Sequence, residues 1–313
     1  MSSIEPTVGI FIFFLVTGVS GNLFILTVHF LVWIKTRDCN PSMTIINSIA
    51  LISIVSQAAI TIDRVTRYMF VRFYMQDWVA KLFMVVLSSL AFSSLWSSTC
   101  LCFYYCIKIV NFNWSFVYML KAKAPLYVHW LLIISISASW SVGVSAYLDL
   151  DMDIKPVTVL TAGNITLIFS FNLKSRCKCL FQIYMLFAAI AFAIIFLTAG
   201  AIVTSLCKHM IRMKKSNETS GNPRIHSHLS AAKTVTYMLL LYVIFYGFLS
   251  SLFNEVEKDS NFIFFFSYIV VSAVPTFNSL ILIMGNRQLS DSLKKLLCTR
   301  PHAANTEVTV TTY

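Results

Sequence analysis

The sequence predicts an all-α membrane protein, a seven-transmembrane helix bundle with its N-terminus outside and its C-terminus cytosolic. Three observations carry this. Seven apolar stretches, at 8–34, 42–62, 79–107, 126–147, 181–207, 229–252 and 262–284, are each long enough to cross a bilayer as a helix and longer than a tilted strand needs. Charged residues are only 12% of the 313-residue chain and hydrophobic ones 58%, whereas soluble domains carry about twice that charged fraction. The net charge of +11 lies entirely on one side of the alternating connections. The segments 35–41, 108–125, 208–228 with Lys233, and the tail from 285 hold 15 Lys/Arg against 4 Asp/Glu, and the rest of the chain holds nine of each. Lys and Arg resist translocation, so the basic side is inside.

Each element has its own justification. Stretch 8–34 is too long for the apolar part of a leader, has no basic segment before it and runs into Lys35 and Arg37, so it reads as span one. Asn40-Pro41-Ser42 is a turn and helix-start signal for span two. Spans three and four are joined by the basic inner segment 108–125. The longest connection, 148–180, begins acidic (Asp149, Asp151, Asp153), carries Asn164-Ile165-Thr166 and ends basic (Lys174, Arg176, Lys178). Topology leaves Asn164 as the outward sequon, because Asn113 and Asn217 fall inside, so glycosylation is expected at Asn164. Span five leads into a polar, basic loop broken at Gly221-Asn222-Pro223, and spans six and seven follow. No linker longer than a loop interrupts 1–284, which is one domain. In the tail, 285–313, Leu289, Leu293, Leu296 and Leu297 share a helical face opposite Lys294 and Lys295, a pattern suited to lying on a membrane surface. Cys298 follows that face beside Lys294, Lys295 and Arg300 and is a palmitoylation candidate.

Several functions are disfavoured. The basic residues sit at helix ends and in short loops, which fits anionic lipid headgroups and a cytosolic partner and not nucleic acid. Ion and proton pathways place charges at mid-membrane; here the deep ionisable candidates are His29 and His129, both near helix ends, where packing is the simpler role. No repeat supports an inverted-repeat transporter. There is no HExxH, no phosphate-binding glycine loop and no nucleophile elbow, so no enzyme, metal or cofactor is expected. The eight cysteines form no disulfide framework: Cys39, Cys106, Cys207 and Cys298 lie on the reducing side, Cys100 and Cys102 lie within span three, and Cys177 and Cys179 are too close in sequence to bond without strain. What remains is a bundle with an outward cavity. Its outer halves are rich in aromatic and small polar residues, among them Phe92, Phe181, Tyr184, Phe187, Phe245, Tyr246, Tyr268 and Ser272, the mixture that lines small-molecule pockets.

Several blocks carry a resemblance over essentially the whole chain. They are Gly21-Asn22-Leu23-Phe24-Ile25; Trp96 with Thr99 and Leu101, followed by Phe103-Tyr104-Tyr105-Cys106-Ile107-Lys108-Ile109-Val110-Asn111-Phe112; Ser205-Leu206-Cys207-Lys208-His209 with Met213; His228 with Ala231, Lys233 and Thr234, then Leu239-Leu240-Leu241-Tyr242; and Ser279 through Asn286. In this combination the sequence resembles the type 2 (bitter) taste receptors. Seven spans with an outside N-terminus are also the plan of G-protein-coupled receptors in general. The chain departs from the family pattern at Ser53, which stands where the family carries arginine, at Asn278, which stands for histidine, and at Ala191, which stands for proline. The family's polar network around Asn22 is therefore not carried over.

The resemblance implies a receptor in the plasma membrane that detects small, mostly apolar bitter compounds and activates a heterotrimeric G protein with a gustducin-like α subunit. A vomeronasal type 1-like pheromone receptor and a small transporter or channel are the alternatives. The spacings 87/88/91/92 and 268/271/272 each turn one helical face to a common centre. With the family's pocket height, they place an agonist among Leu87, Ser88, Ala91, Phe92, Phe245, Tyr246, Leu249, Tyr268, Val271 and Ser272. Tyr105, Lys108, His209, Met213, His228 and Lys233 fall at the inner ends of spans three, five and six and match the family's G-protein-facing or switch positions. Membrane lipids complete the expected partners.

Overall fold

The structure is a computed structural model that describes residues 4–37, 40–74, 76–110, 123–161, 164–175, 178–215, 223–254 and 261–298. Long helices dominate: α1 (Ile4–Thr36), α2 (Pro41–Met69), a single turn α3 (Val71–Tyr74), α4 (Asp77–Ile109), α5 (Ala124–Asp149), α6 (Lys178–Lys215), α7 (Pro223–Asn254), α8 (Asn261–Gly285) and α9 (Arg287–Cys298). Among the described residues six helices are long and apolar enough to cross a membrane by themselves, and the bent pair α8–α9 makes a seventh. The helices run back and forth, so one end of the bundle carries the start of α1 (the N-terminal face) and the other carries α9 (the tail face).

The inside is close-packed: Ile25, Ile45, Ile49, Leu101, Ile195, Ile202, Met238 and Leu282 are fully buried. Phe13, Trp130, Ile134, Leu186, Phe196, Leu197 and Leu240 are exposed. A helix apolar on all sides belongs in lipid, where an outward Leu costs nothing. α4 is the axis of the bundle. It packs on α2, α5 and α6 and reaches α7. The α4–α5 approach depends on Gly143, where a Cβ would collide with the Ser89 side chain and lie 3.1 Å from the Val85 carbonyl oxygen.

Local chemistry sets the helix ends. Asn40 is extended before Pro41, whose missing N–H is harmless in the first turn of α2. α1 ends at Arg37 with φ 56°, and its N–H closes on the Trp33 carbonyl at 2.8 Å. α8 turns by 93° into α9. Asn286 makes the corner: its N–H donates to the Leu282 carbonyl at 3.0 Å and its Oδ1 accepts from the Gln288 N–H at 3.0 Å, capping α9. Leu289, fully buried, docks α9 back on the bundle, and Lys294 and Lys295 stay exposed.

Two features add to the sequence reading. The expectation of an all-α chain needs one addition. The long connection folds into an antiparallel ribbon, β1 (Leu150–Thr161) with β2 (Asn164–Ser175), in continuous register from Leu150↔Ser175 to Thr161↔Asn164. The reason is a period-2 alternation in both strands. By register Met152, Ile154 and Pro156 share a face with Leu173, Phe171 and Phe169, and Asp151 stands opposite Lys174. β1 lies against α4, so the ribbon sits at the N-terminal face. Second, α2 does not stop at 62 but continues to Met69, carrying Asp63, Arg64 and Arg67 with it.

Candidate functional site

A hydroxyl at the centre of the bundle joins three helices. Tyr242 on α7 points inward, fully buried. Its oxygen lies 2.7 Å from Ser98 Oγ and 3.4 Å from Ser94 Oγ on α4, and accepts from Asn278 Nδ2 on α8 at 3.1 Å. Asn278 Nδ2 also donates to Ser94 Oγ at 3.0 Å. The four side chains close a small polar knot in an apolar surround, where each member depends on the others for satisfaction. The serines come from a run on α4 (Ser89, Ser93, Ser94, Ser97, Ser98), all buried. The hydroxyls of Ser89, Ser93 and Ser97 have no hydrogen-bond partner.

An aromatic layer lies on the N-terminal side of this knot. Phe187 on α6 meets Phe92 edge-on at 5.6 Å and Trp96 at 4.9 Å, both on α4. Phe192 on α6 stacks with Tyr246 on α7 at 6.3 Å and an interplanar angle of 14°. Phe245 stands edge-on to the Tyr242 ring at 6.0 Å, so the two layers touch. Trp96 Nε1 is buried and makes no hydrogen bond, which leaves a donor inside an otherwise apolar layer.

The expected agonist residues fall as follows. Phe92, Phe245 and Ser272 are buried, and Leu87, Ser88, Ala91, Tyr246 and Val271 are half-buried. Phe92 and Tyr246 are drawn toward a shared neighbour, α6, through Phe187 and Phe192. Leu249 and Tyr268 lie on α7 and α8, but their side chains are outside the described residues, as is that of Phe181. Ser88 donates back to its own helix, to the Val85 carbonyl at 3.1 Å. Sequence reasoning missed Phe192, which shares a face of α6 with Phe187, Ala188 and Ala191, and it did not single out Ser94 and Ser98. The serine run looks like small packing residues until Tyr242, some 144 positions away, is set against Ser98.

A second polar crossing ties α1, α2 and α8. Gln57 Nε2 donates to Thr276 Oγ1 at 2.7 Å and to the Phe14 carbonyl at 3.0 Å. Thr276 donates to the same carbonyl at 3.0 Å. Asn22 Nδ2 is held by its own helix, donating to the Gly18 carbonyl at 2.8 Å, with a long contact of 3.5 Å to the Pro275 carbonyl. Ser53 is buried beside this crossing on α2, and its hydroxyl makes no hydrogen bond.

At the N-terminal face an ion pair within α2 engages the hydroxyl of Tyr74 on α3. Asp63 is fully buried, and its Oδ2 takes the Arg67 guanidinium at 3.2 Å. Tyr74 accepts from Arg67 at 2.5 Å and donates to Asp63 Oδ1 at 3.1 Å. The Tyr74 ring stacks on Phe83 of α4 at 6.0 Å. The buried acid corrects the expectation that only histidines are ionisable within the spans. The signal was the i, i+4 spacing of Asp63 and Arg67 on a continuing helix.

At the tail face Lys108 and Lys233 are exposed and Tyr105 is half-buried. Lys108 Nζ lies over the Tyr104 ring at 5.8 Å. His209 and Met213 lie on α6 and His228 on α7, with side chains outside the described residues. His29 is buried and bonded to Asn47, whereas His129 is exposed on α5. Cys100, Cys102, Cys106 and Cys207 are free thiols, and among the described residues no cluster could hold a metal ion.

With this geometry in view, comparison with known proteins is informative. The chain matches the family described as Taste receptor protein (TAS2R) over residues 1–300. It is similar to Taste receptor type 2 member 39 of Homo sapiens, 26% identical over 286 residues that cover 89% of this chain and 82% of the relative. It is also similar to Taste receptor type 2 member 2 of Homo sapiens, 27% identical over 285 residues, with 90% of this chain and 92% of the relative covered. Taste receptor type 2 member 9 of Pongo pygmaeus is 27% identical over 285 residues, with 90% of each chain covered.

Proposed function

Because the chain belongs to the taste receptor protein (TAS2R) family, whose members are chemosensory G-protein-coupled receptors for bitter compounds, we propose that it senses its agonist in the aromatic layer and reports it through the Tyr242 knot. The chain is a multi-pass plasma-membrane receptor and not an enzyme. The pheromone-receptor and transporter readings are not favoured. Its N-terminus faces outside and its tail the cytosol, a reading that the basic tail-side segments support.

The observation that carries the mechanism is the edge-on contact of Phe245 with Tyr242. An agonist entering between α4, α6, α7 and α8 repacks Phe92, Tyr246 and Phe245. Phe245 moves Tyr242, and the knot that holds α7 to α4 and α8 rearranges. Such a hydrogen-bonded crossing has discrete arrangements, so a small displacement becomes a helix movement. The agonist drives the change only by binding one arrangement better than the other. Among the ten agonist positions of the sequence reading none carries a carboxylate, so recognition rests on ring stacking and a few hydrogen bonds, with the Trp96 N–H at hand. Affinities are micromolar, about −8 kcal/mol or weaker, with broad selectivity. At the tail face Lys108 and Lys233, with Tyr105, His209, Met213 and His228, form the surface for a heterotrimeric G protein whose α subunit is gustducin-like. α9, with Cys298 acylated, lies along the lipid headgroups.

The test is a calcium-release screen of the full chain with a promiscuous G protein against bitter compounds. With an agonist in hand, Phe92→Ala, Tyr246→Ala and Tyr268→Ala each shift its dose–response to higher concentration at equal surface expression. Neutralising Lys108 and Lys233 together lowers the maximal response instead. If all three alanine variants respond as wild type while substitutions in β1 and β2 abolish the response, the agonist binds the ribbon and not the bundle.

A further inference from the structure

Asn278 enters the Tyr242 knot from a helix that is interrupted just before it. Pro275 lies inside α8 and has no N–H, so the helical bond to the Val271 carbonyl is missing. Helices bend at such points. The outer segment of α8, which carries Val271 and Ser272, therefore fixes the tilt of the segment from Thr276 onward only loosely. Yet Asn278, three residues past the proline, is held 3.1 Å from the Tyr242 oxygen and 3.0 Å from Ser94 Oγ.

The crossing with α1 and α2, which takes no part in the mechanism above, sits at this interruption. Thr276 is the first residue after the proline. It spends its one O–H on the Phe14 carbonyl of α1, at 3.0 Å. Gln57 Nε2 on α2 donates to the Thr276 hydroxyl at 2.7 Å and to the same carbonyl at 3.0 Å. Gln57 and Thr276 are both buried, so water does not compete for these bonds. The Gln57 amide lies against the backbone of Gly18, where a Cβ would collide with it.

Thr276 and Asn278 are two residues apart, about 200° around the helix axis. Their partners agree with this: Thr276 faces α1 and α2, and Asn278 faces α4 and α7. α8 is thus gripped from opposite sides at one level. Without the grip of α1 and α2 this level tilts about the proline, and the Asn278 bonds, which weaken steeply with distance and angle, are the first to suffer. We propose that Gln57 and Thr276 are positioning residues for the knot, holding Asn278 at bonding distance from Tyr242 and so keeping the receptor in its resting arrangement. The role rests on the reading above that the knot reports the agonist, and neither residue needs to touch the agonist to fill it.

The test is ligand-free signalling of the full chain through a promiscuous G protein, at matched surface expression. Gln57→Leu removes both donors at similar volume and raises the ligand-free signal about three- to tenfold. Thr276→Val does the same, whereas Thr276→Ser keeps the hydroxyl and the wild-type level. Gly18→Ala displaces the Gln57 amide with every hydrogen-bonding group still present, and it raises the signal too. These two further variants carry the test if Gln57→Leu fails to reach the surface. In a Tyr242→Phe background Gln57→Leu adds less than about twofold, because the bond it guards is already gone. A packing role alone lowers surface yield and leaves the signal per receptor unchanged, which overturns the proposal. Effects of Gln57→Leu and Tyr242→Phe that multiply in full overturn it as well. A Tyr242→Phe variant that signals as wild type removes the knot reading itself, and this role with it.

Discussion

Removing Arg67 should cost this receptor more than removing the acid it pairs with. Asp63 is fully buried, whereas the Arg67 side chain is 14% exposed. Without the guanidinium, Asp63 keeps the Tyr74 hydroxyl at 3.1 Å but loses its i, i+4 cation, and breaking a buried ion pair from the cationic side costs about 3–5 kcal/mol. Asp63→Asn strands nothing comparable. Arg67 reaches water and headgroups by extending its stem, keeps its bond to Tyr74 and loses charge-assisted bonds of about 1.5–3 kcal/mol. The Asp63→Asn/Arg67→Met pair should therefore be less destabilised than the sum of the single variants. The assay is thermal unfolding of the purified receptor with surface expression measured beside it. At about 2 °C per kcal/mol, Arg67→Met lowers the midpoint by about 6–10 °C, and Asp63→Asn by about half that. If Arg67→Met melts with the wild type, or if the double variant is additive, the pair is not the lock at the head of α2.

Tyr242→Phe removes the hydroxyl that Ser98 and Asn278 share. Two interhelical bonds at about 0.6–1.7 kcal/mol each shift the two-state balance by as much as about 8- to 300-fold, so ligand-free signalling should rise at normal surface expression; basal activity equal to wild type would exclude the knot as the resting latch. Gly143→Val forces a side chain against Ser89 and the Val85 carbonyl, an overpacking cost of about 1–3 kcal/mol. It should lower surface yield, while Gly200→Val, with nothing within 4 Å of its Cβ, should not. Glycosidase treatment should shift the wild-type band and leave Asn164→Gln unmoved, and a shift that survives the substitution would reverse the assigned orientation.

The bundle was legible because lipid imposes one requirement, a long apolar run, and the chain meets it seven times. The ends of the runs were less legible. Asp63, Arg64 and Arg67 fell beyond the apolar run that ends at 62, and the i, i+4 spacing of Asp63 and Arg67 was their one sign of a continuing helix. The turn at Tyr74, which brings a phenol back over Arg67, helps to make the extra helix turns tolerable. The ribbon at Leu150–Ser175 was hidden for a different reason. Its alternation is plain once two segments are laid antiparallel, but each alone is a polar-flanked apolar scatter between two stronger helical signals. In the candidate site, helical spacing singled out Phe92 and the resemblance singled out Phe245 and Tyr246. It could not find the Ser94–Ser98–Tyr242–Asn278 knot, whose members come from three helices and are ordinary residues until packed together.

The division between an aromatic layer and a polar knot also bears on how such a chain can change over time. Phe92 meets Phe187, and Phe192 meets Tyr246, ring to ring, and rings of different shape can be exchanged there without leaving a buried polar group stranded. Ser94, Ser98, Tyr242 and Asn278 allow no such freedom, since altering one orphans the others. A gene encoding this arrangement can accumulate substitutions in the first group and acquire a new chemical repertoire in few steps, each intermediate still able to signal. Diversification of detection is thereby uncoupled from conservation of output, with Phe245 the point at which the two histories meet.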